Sequence, residues 1–267
     1  MIPSRAFHCL APLVGHLAVA LVKPGYHLSP CPNFRSPLSP WGLDYRNDIE
    51  QYFDLAPDHH DYYPASAFQT PTLSLLQVAP LEAVNFILWF TNRSIEYFVK
   101  TDFAKHEVEE IEVVLNASEP PLKQYICNRI WNVYRGTQTA PMLLESLHMA
   151  LEHWLLGVAK NVSPDVLAKW CLYITRNSCS ASITAVVVSV VLAQPSKLFD
   201  VAKALFCTKE FFFFDLVRMQ LDMSAKSLYA ISHDPMGLFT KEQLSTCDDK
   251  HRQGLLEHLA LTHQSGI

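Results

Sequence analysis

The sequence predicts an all-α protein, either a helical bundle or an α-solenoid of antiparallel helix hairpins with a proline-rich N-terminal loop. One observation is a stretch of about twenty residues without a charge, 177–196, which only burial can accommodate. Another is that 8 Gly beside 17 Pro favour helices with sharp stops over a β-sandwich. Proline is tolerated in the first helical turn, where N–H groups lack partners within the helix. Apolar patterns of helical spacing follow five prolines: Pro80, Pro120, Pro141, Pro164 and Pro195.

The N-terminal element is an uncharged apolar run that predicts a core helix over 6–22, which Pro24 and Gly25 end. A secretory signal is the alternative, because Arg5 precedes the run. It is disfavoured, since Pro12 lies within the run and no small-residue cleavage site follows it.

The next segment is irregular. Residues 26–40 contain four prolines, so neither a helix nor a central strand is expected there, and a loop is predicted. A short helix is expected within 44–55. A domain boundary near 24–64 is an alternative to one helical-repeat-like region over 1–267.

Regular helical spacing starts near the middle of the chain. It predicts a helix over 66–78 with an interruption at Pro71, and a long helix over 80–105. Residues 106–116 are acidic with imperfect alternation, and either a short strand or an exposed loop fits them. A further helix is expected over 119–136. Its apolar residues would share one face: Leu122, Ile126, Ile130 and Val133.

Helices are also expected after Pro141, Pro164 and Pro195, with Ser163 as a cap whose hydroxyl accepts from unpaired N–H groups. The uncharged stretch 177–196 is β-branched, which suggests a strand by propensity. Its length without a turn signal instead predicts a buried helix at the centre of the core. A membrane span is the alternative; it needs roughly twenty apolar residues, and serines dilute this stretch.

Four consecutive phenylalanines, Phe211 to Phe214, cannot all face one core from a single helix. Some are therefore expected to contact a neighbouring or missing element. Pro235 and Gly237 break the helical pattern, and residues 246–261 are expected to form a polar loop and a last short helix.

Composition excludes several classes of protein. Apolar residues make up 49% of the chain and charged residues 18%, which suits a sizeable core. The net charge is −5 without a basic block, which weighs against nucleic acid as a partner because phosphate binding needs clustered Lys and Arg. The seven cysteines are odd in number and scattered, which indicates reduced thiols in a cytoplasmic protein.

Known catalytic motifs are absent from the sequence. It contains no G-x-x-x-x-G-K-[ST] phosphate loop, no G-x-G-x-x-G and no G-x-S-x-G. We therefore expect a chain that is not itself an enzyme, and we assign no catalytic, cofactor-binding or metal residue and no cofactor.

Two sets of residues are weak metal candidates. The loop 58–61, DHHD, could bind a metal, but it supplies no thiolate and no helical i, i+4 pair, so a solvated turn is favoured. Cys247 and His251 are four residues apart, and a zinc site would need further ligands that no usual spacing provides.

Other reactive side chains are given structural roles. Ser178, Ser180 and Ser182 are attributed to packing, while His148 and His153 are expected to be partly buried surface residues. A catalytic thiol would need a basic neighbour that lowers its pKa. Four cysteines lie in helical patterns and are interpreted as buried small side chains: Cys127, Cys171, Cys179 and Cys207.

Six runs of the sequence are distinctive: RAFHCLAPLVGHLAVALVKPG, DYRNDIEQYFDLAP, YYPASAFQTP, LLESLHMALEHWLL, RNSCSASITAVVVSVVLAQPSKLF and TCDDKHRQGLLEHLAL. They resemble the region after the ATPase core in large bacterial antiviral STAND NTPases, the AVAST-type or Avs defence proteins. The resemblance covers most of the chain but includes no catalytic signature. It implies a fragment of a larger protein, whose helical-repeat sensor recognises a phage protein and drives oligomerisation, and it leaves open whether Met1 is the true start.

Three hypotheses follow for function. The first is a helical sensor or scaffold fragment of a STAND ATPase, with a protein partner and a homo-oligomer as an option. The second is a free-standing α-helical adaptor that binds another protein through an apolar groove. The third, disfavoured by the missing motifs, is a small enzyme that assembles scattered residues such as His59, His60 and Cys247. An excised fragment is also expected to expose an apolar patch drawn from 6–22 and 211–214.

Overall fold

Helices form most of the described chain, and one small sheet accompanies them. The structure is a computed structural model that describes residues 49–55, 62–116, 118–229 and 237–264. These ranges belong to one compact unit, 49–267. The predicted helix over 6–22, the proline-rich loop 26–40 and the metal-candidate loop 58–61 lie outside the described residues.

The described chain contains eleven α-helices and two strands. A mainly helical protein is thereby confirmed, but the sheet corrects the all-α prediction. The helices are α1 (Ile49–Tyr52), α2 (Thr72–Val78), α3 (Pro80–Phe98), α4 (Asn128–Trp131), α5 (Met142–Asn161), α6 (Pro164–Arg176), α7 (Ala181–Ala193), α8 (Phe199–Leu205), α9 (Lys209–Tyr229), α10 (Leu238–Thr246) and α11 (Leu256–Gln264). The strands are β1 (Glu109–Val113) and β2 (Leu122–Ile126).

Helix α7 is the centre of the core, as its uncharged sequence predicts. Every residue from Ala181 to Val191 is buried, and α4, α5, α6 and α8 all contact the helix. Ser180 begins it, since the Ser180 hydroxyl accepts from the Ser182 N–H at 3.2 Å. A helix that is apolar on all sides is stable only when it is surrounded. No helix in the described ranges has the length and apolar character to cross a bilayer.

The helix predicted over 119–136 is wrong for its first half. Leu122–Ile126 is strand β2, which pairs antiparallel with β1 so that Ile126 faces Glu109 and Leu122 faces Val113. Leu122 and Ile126 are four residues apart, a spacing that both a helix turn and strand alternation satisfy. The preceding proline pair disfavours helical backbone, and the pairing with β1 decides for the strand.

Proline marks helix starts at three of the five expected places. Pro80 and Pro164 lie in the first turns of α3 and α6, and Pro141 immediately precedes α5. Pro120 instead leads into β2, and Pro195 lies in a turn before α8 begins at Phe199. Helix α3 also ends at residue 98 and not at 105.

The phenylalanine run divides between two faces of α9, as its spacing requires. Phe211 and Phe214 are buried with ring centroids 5.3 and 6.3 Å from Trp131, whereas Phe213 is 59% exposed. A 3-10 turn over 250–253 and α11 follow, which confirms the predicted loop and last short helix.

Candidate functional site

A buried ion-pair network joins the C-terminal helices to the core. Three arginines and three carboxylates balance in formal charge, and each of the six side chains is at most 6% exposed. A buried charge is tolerated only when it is paired and hydrogen-bonded, so the network must form as a unit. Its members are Arg135, Glu152, Asp215, Arg218, Asp222 and Arg252.

Arg218 of α9 is the hub of the network. Its Nη2 donates to Asp215 Oδ1 at 2.7 Å, and its Nη1 lies 3.3 Å from Asp222 Oδ2. The same guanidinium donates to the carbonyls of Arg252 at 2.6 Å and Gly254 at 2.7 Å. These bonds fix the turn before α11 against α9.

Asp215 and Asp222 extend the network to two further elements. The second oxygen of Asp215 accepts from the Leu256 N–H at 2.7 Å, where a carboxylate satisfies an unpaired donor at the start of α11. Asp222 Oδ1 accepts from Arg135 Nε at 2.6 Å. Through Asp215 and Asp222, helix α9 is thus bound to the start of α11 and to Arg135.

Arg252 connects this hub to the central helices. Its Nη2 donates to Glu152 Oε2 of α5 at 2.6 Å, and its Nη1 donates to the hydroxyl of Ser189 in α7 at 3.3 Å. Burial by itself raises the pKa of Glu152, but the charge and hydrogen bond of Arg252 outweigh it and hold that pKa below the usual range. Glu152 is therefore ionised at neutral pH.

A small polar pocket lies beside the network. The volume of this pocket that the centre of a water molecule can occupy is about 50 Å³. Its lining residues include Arg135, Glu152, Tyr229, Glu242 and Arg252. Burial raises the pKa of Glu242 although the Ser66 hydroxyl donates to it at 3.0 Å. The buried Nε of Arg252 lacks a hydrogen-bond partner within the described ranges. The small volume and the mixed charges of this pocket suit an ordered water molecule. They do not form a phosphate-binding site.

The serines and His148 form a closed hydrogen-bond chain. Ser180 Oγ lies 2.7 Å from Ser182 Oγ, which lies 2.9 Å from His148 Nε2. His148 Nδ1 lies 2.8 Å from the Leu144 carbonyl, so Nδ1 carries the proton and Nε2 accepts from Ser182. His148 is fully buried, which corrects its prediction as a surface residue, whereas His153 is exposed. Without solvent access this chain packs the core and offers no nucleophile.

Three of the described cysteines lie in environments that favour the thiol form. Burial raises the pKa of Cys171 to about 12 and that of Cys179 to about 11. Burial likewise raises the pKa of Cys127, whose sulfur accepts from the Ile130 N–H at the start of α4. An activated thiol would show the opposite shift. Cys207 is exposed, which corrects its prediction as a buried residue.

The described residues contain no group of three or more metal-ligating side chains. Cys247 is half-buried, and its Sγ lies 3.8 Å from Arg135 Nη2 and 3.3 Å from the Gln243 carbonyl. The positive charge of the neighbouring Arg135 guanidinium opposes the binding of a cation. We therefore assign Cys247 and His251 to the polar core and not to a metal site.

The outer side of α9 is apolar, although the inner side carries the ion pairs. We define the α9 face as Phe213, Leu216, Gln220 and Met223, all exposed. No exposed residue between positions 211 and 223 is charged. The sequence places Asp215, Arg218 and Asp222 at helical spacing, which indicates that they share one side of the helix. That this side is buried could not be read from the sequence.

A second exposed surface lies on α3. We define the α3 face as Leu81, Asn85, Trp89 and Arg93. The Arg93 guanidinium carbon lies 5.9 Å from the centre of the Trp89 ring, and Arg93 Nη2 lies 2.9 Å from Asp54 Oδ2. Sequence analysis missed this surface, although the four residues recur at i, i+4 spacing.

No protein-family model matches the chain, and no curated protein matches it in sequence.

Proposed function

We propose that this chain is a helical-repeat sensor or scaffold fragment of a large antiphage-defence STAND ATPase in the bacterial cytoplasm. By itself it is non-catalytic; it recognises a phage protein and supports oligomerisation of the parent protein. The arrangement of the helices as a solenoid of hairpins belongs to this proposal. Its supports are the resemblance of the six sequence runs to that region and the mainly helical fold.

The exposed Trp89 with Arg93 over its ring carries the proposal of protein binding. Trp89 is 46% exposed, although tryptophan has the largest apolar area of any side chain to remove from water. Tryptophan and arginine dominate the binding energy of protein interfaces, where such anchors are surrounded by polar groups. Glu82 and Glu96 are also exposed on α3 and would provide that rim. The α3 face therefore suits a protein ligand with an apolar pocket.

The test is a binding titration of the full chain against individually purified phage proteins. We expect one of them to bind, and Trp89→Ala to weaken its affinity by about tenfold or more because a buried anchor is lost. Val166→Ala on α6 is the matched control, since Val166 is an exposed apolar residue outside the α3 face. Equal affinities of the Trp89→Ala and Val166→Ala proteins would refute recognition through this face.

A free-standing adaptor is the second candidate. It is favoured by the compact unit over 49–267, within which the buried arginines find carboxylate partners. The two candidates predict different reading frames upstream of this chain. If the reading frame continues upstream into a phosphate-loop ATPase, the adaptor is excluded; if it does not, the STAND proposal fails.

A further inference from the structure

Strand β1 is an open edge of the small sheet. Its neighbour β2 has partners on both sides, because the Tyr125 N–H donates to the Cys179 carbonyl at 2.8 Å and Tyr125 forms a parallel bridge with Ser180. Strand β1 pairs with β2 alone in the described part of the chain. The outer edge of β1 is therefore unpaired there.

The pairing pattern shows which backbone groups of β1 are directed outward. In an antiparallel ladder, residue pairs that exchange both N–H···O bonds alternate with pairs that exchange none. The Tyr125 N–H is directed at Cys179, so its pair with Glu110 exchanges none, and neither does the pair of Glu112 with Lys123. The N–H and C=O groups of Glu110 and Glu112 therefore face away from β2. No hydrogen bond to these four groups is made by any residue that the structure describes.

The same strand is negatively charged on both of its faces. Four exposed glutamates lie on it or just before it: Glu107, Glu109, Glu110 and Glu112. Lys123 Nζ lies 2.6 Å from Glu110 Oε1, and Arg129 Nε lies 3.3 Å from Glu107 Oε2. Glu109 and Glu112 make no ion pair with a described residue, and strand alternation directs them to opposite faces. An unpaired carboxylate thus flanks the open edge on each face.

We propose that β1 binds an extended basic segment of another protein, which adds to the sheet as a third strand. The backbone of this segment bonds to Glu110 and Glu112, and its lysine or arginine side chains lie against Glu109 on one face and Glu112 on the other. In strand addition the main-chain bonds give affinity and the alternating side chains give specificity. This binding goes beyond recognition through the α3 face and does not depend on it.

The charge of the edge selects a basic segment over a second copy of this chain. Two β1 edges side by side would place glutamates opposite glutamates, and like charges at such positions are destabilising. Charged side chains commonly protect edge strands from pairing with themselves in this way. A basic strand instead gains from the same carboxylates, and the net charge of −5 of the whole chain attracts it from a distance.

Fluorescence anisotropy of a labelled peptide of alternating lysine and threonine tests binding by the full chain. We expect saturable binding that weakens as salt is added, because exposed charges are screened. Glu109→Gln combined with Glu112→Gln should weaken the affinity by about tenfold. Asp165→Asn combined with Glu257→Gln, at exposed sites on α6 and α11, changes the net charge equally and should leave the affinity unchanged. No saturable binding, or equal losses in the two double variants, would overturn the proposal.

Amide hydrogen exchange then tests the position of the bound peptide. In the free chain the amides of Glu110 and Glu112 should exchange faster than those of Ile111 and Val113, which the alternation places in bonds to β2. The peptide should slow the exchange of Glu110 and Glu112 by about tenfold or more, since each amide gains a backbone acceptor. Binding without this protection would show attraction by charge alone and overturn strand addition. Trp89 is intact in every variant, so a failure here is separate from a failure of recognition through the α3 face.

Discussion

At the scale of single residues, His148 shows how a polar side chain is accommodated in this core. Both of its ring nitrogens have partners: Nδ1–H donates to the Leu144 carbonyl, and Nε2 accepts from the Ser182 hydroxyl, a bond that needs a neutral imidazole. Burial lowers the pKa of His148 from its ordinary value of 6.5 to about 4. A charged imidazole would leave the Ser182 hydroxyl facing a second donor.

This neutrality makes stability depend on pH. The unfolded chain binds a proton at His148 near pH 6.5, whereas the folded chain binds it only near pH 4, so stability is lost as the pH falls through this window. The difference corresponds to about 3 kcal/mol. His148→Gln, which stays neutral, should flatten the pH dependence of urea unfolding, and His106→Gln at an exposed site should not. Identical pH dependence in the wild-type and His148→Gln proteins would refute a buried neutral His148.

At the scale of elements, the ion-pair network holds α9, α11 and the turn 250–253 against α5 and α7. Replacing Glu152 by Leu removes the carboxylate that pairs with Arg252 and leaves a buried cation. We expect a loss of about 3–5 kcal/mol in the free energy of unfolding. Adding Arg252→Leu should recover much of it, because no unpaired charge then remains.

The matched control for this prediction is an exposed ion pair of helix α9, which the network also holds. Lys226 of α9 lies 2.8 Å from Asp248 Oδ1, and both side chains are in water. Lys226→Leu should change stability little, because an ion pair in water is screened by the solvent. Denaturant unfolding measures all three variants, and a Glu152→Leu protein as stable as the Lys226→Leu protein would contradict the network's role.

Elements that are recognisable from local spacing could be predicted from the sequence. Helix α7 could be predicted because its residues carry no charge at any position, a pattern that only a buried helix satisfies. Strand β2 could not, since its apolar spacing fits a helix as well and the sequence of its partner β1 fits an exposed loop as well as a strand. The polarity of α9 could not either, because charges at helical spacing usually face solvent and their partners, Arg135 and the Arg252 carbonyl, are distant in sequence.

At the scale of the whole molecule, the distribution of charge decides which ligands the chain can take. The arginines Arg135, Arg218 and Arg252 are each paired with carboxylates in the core and have no charge left for phosphate. The exposed surfaces on α3 and α9 instead present aromatic and aliphatic groups.

The purified 267-residue chain should therefore bind no nucleotide. The sequence has no phosphate loop, and nucleotide phosphates need backbone N–H groups at a helix start together with an unpaired cation. Titration calorimetry with Mg²⁺ and ATP should give no saturable heat, and phosphate release should stay at the rate of buffer alone. Saturable ATP binding by the wild-type chain would contradict a non-catalytic fragment.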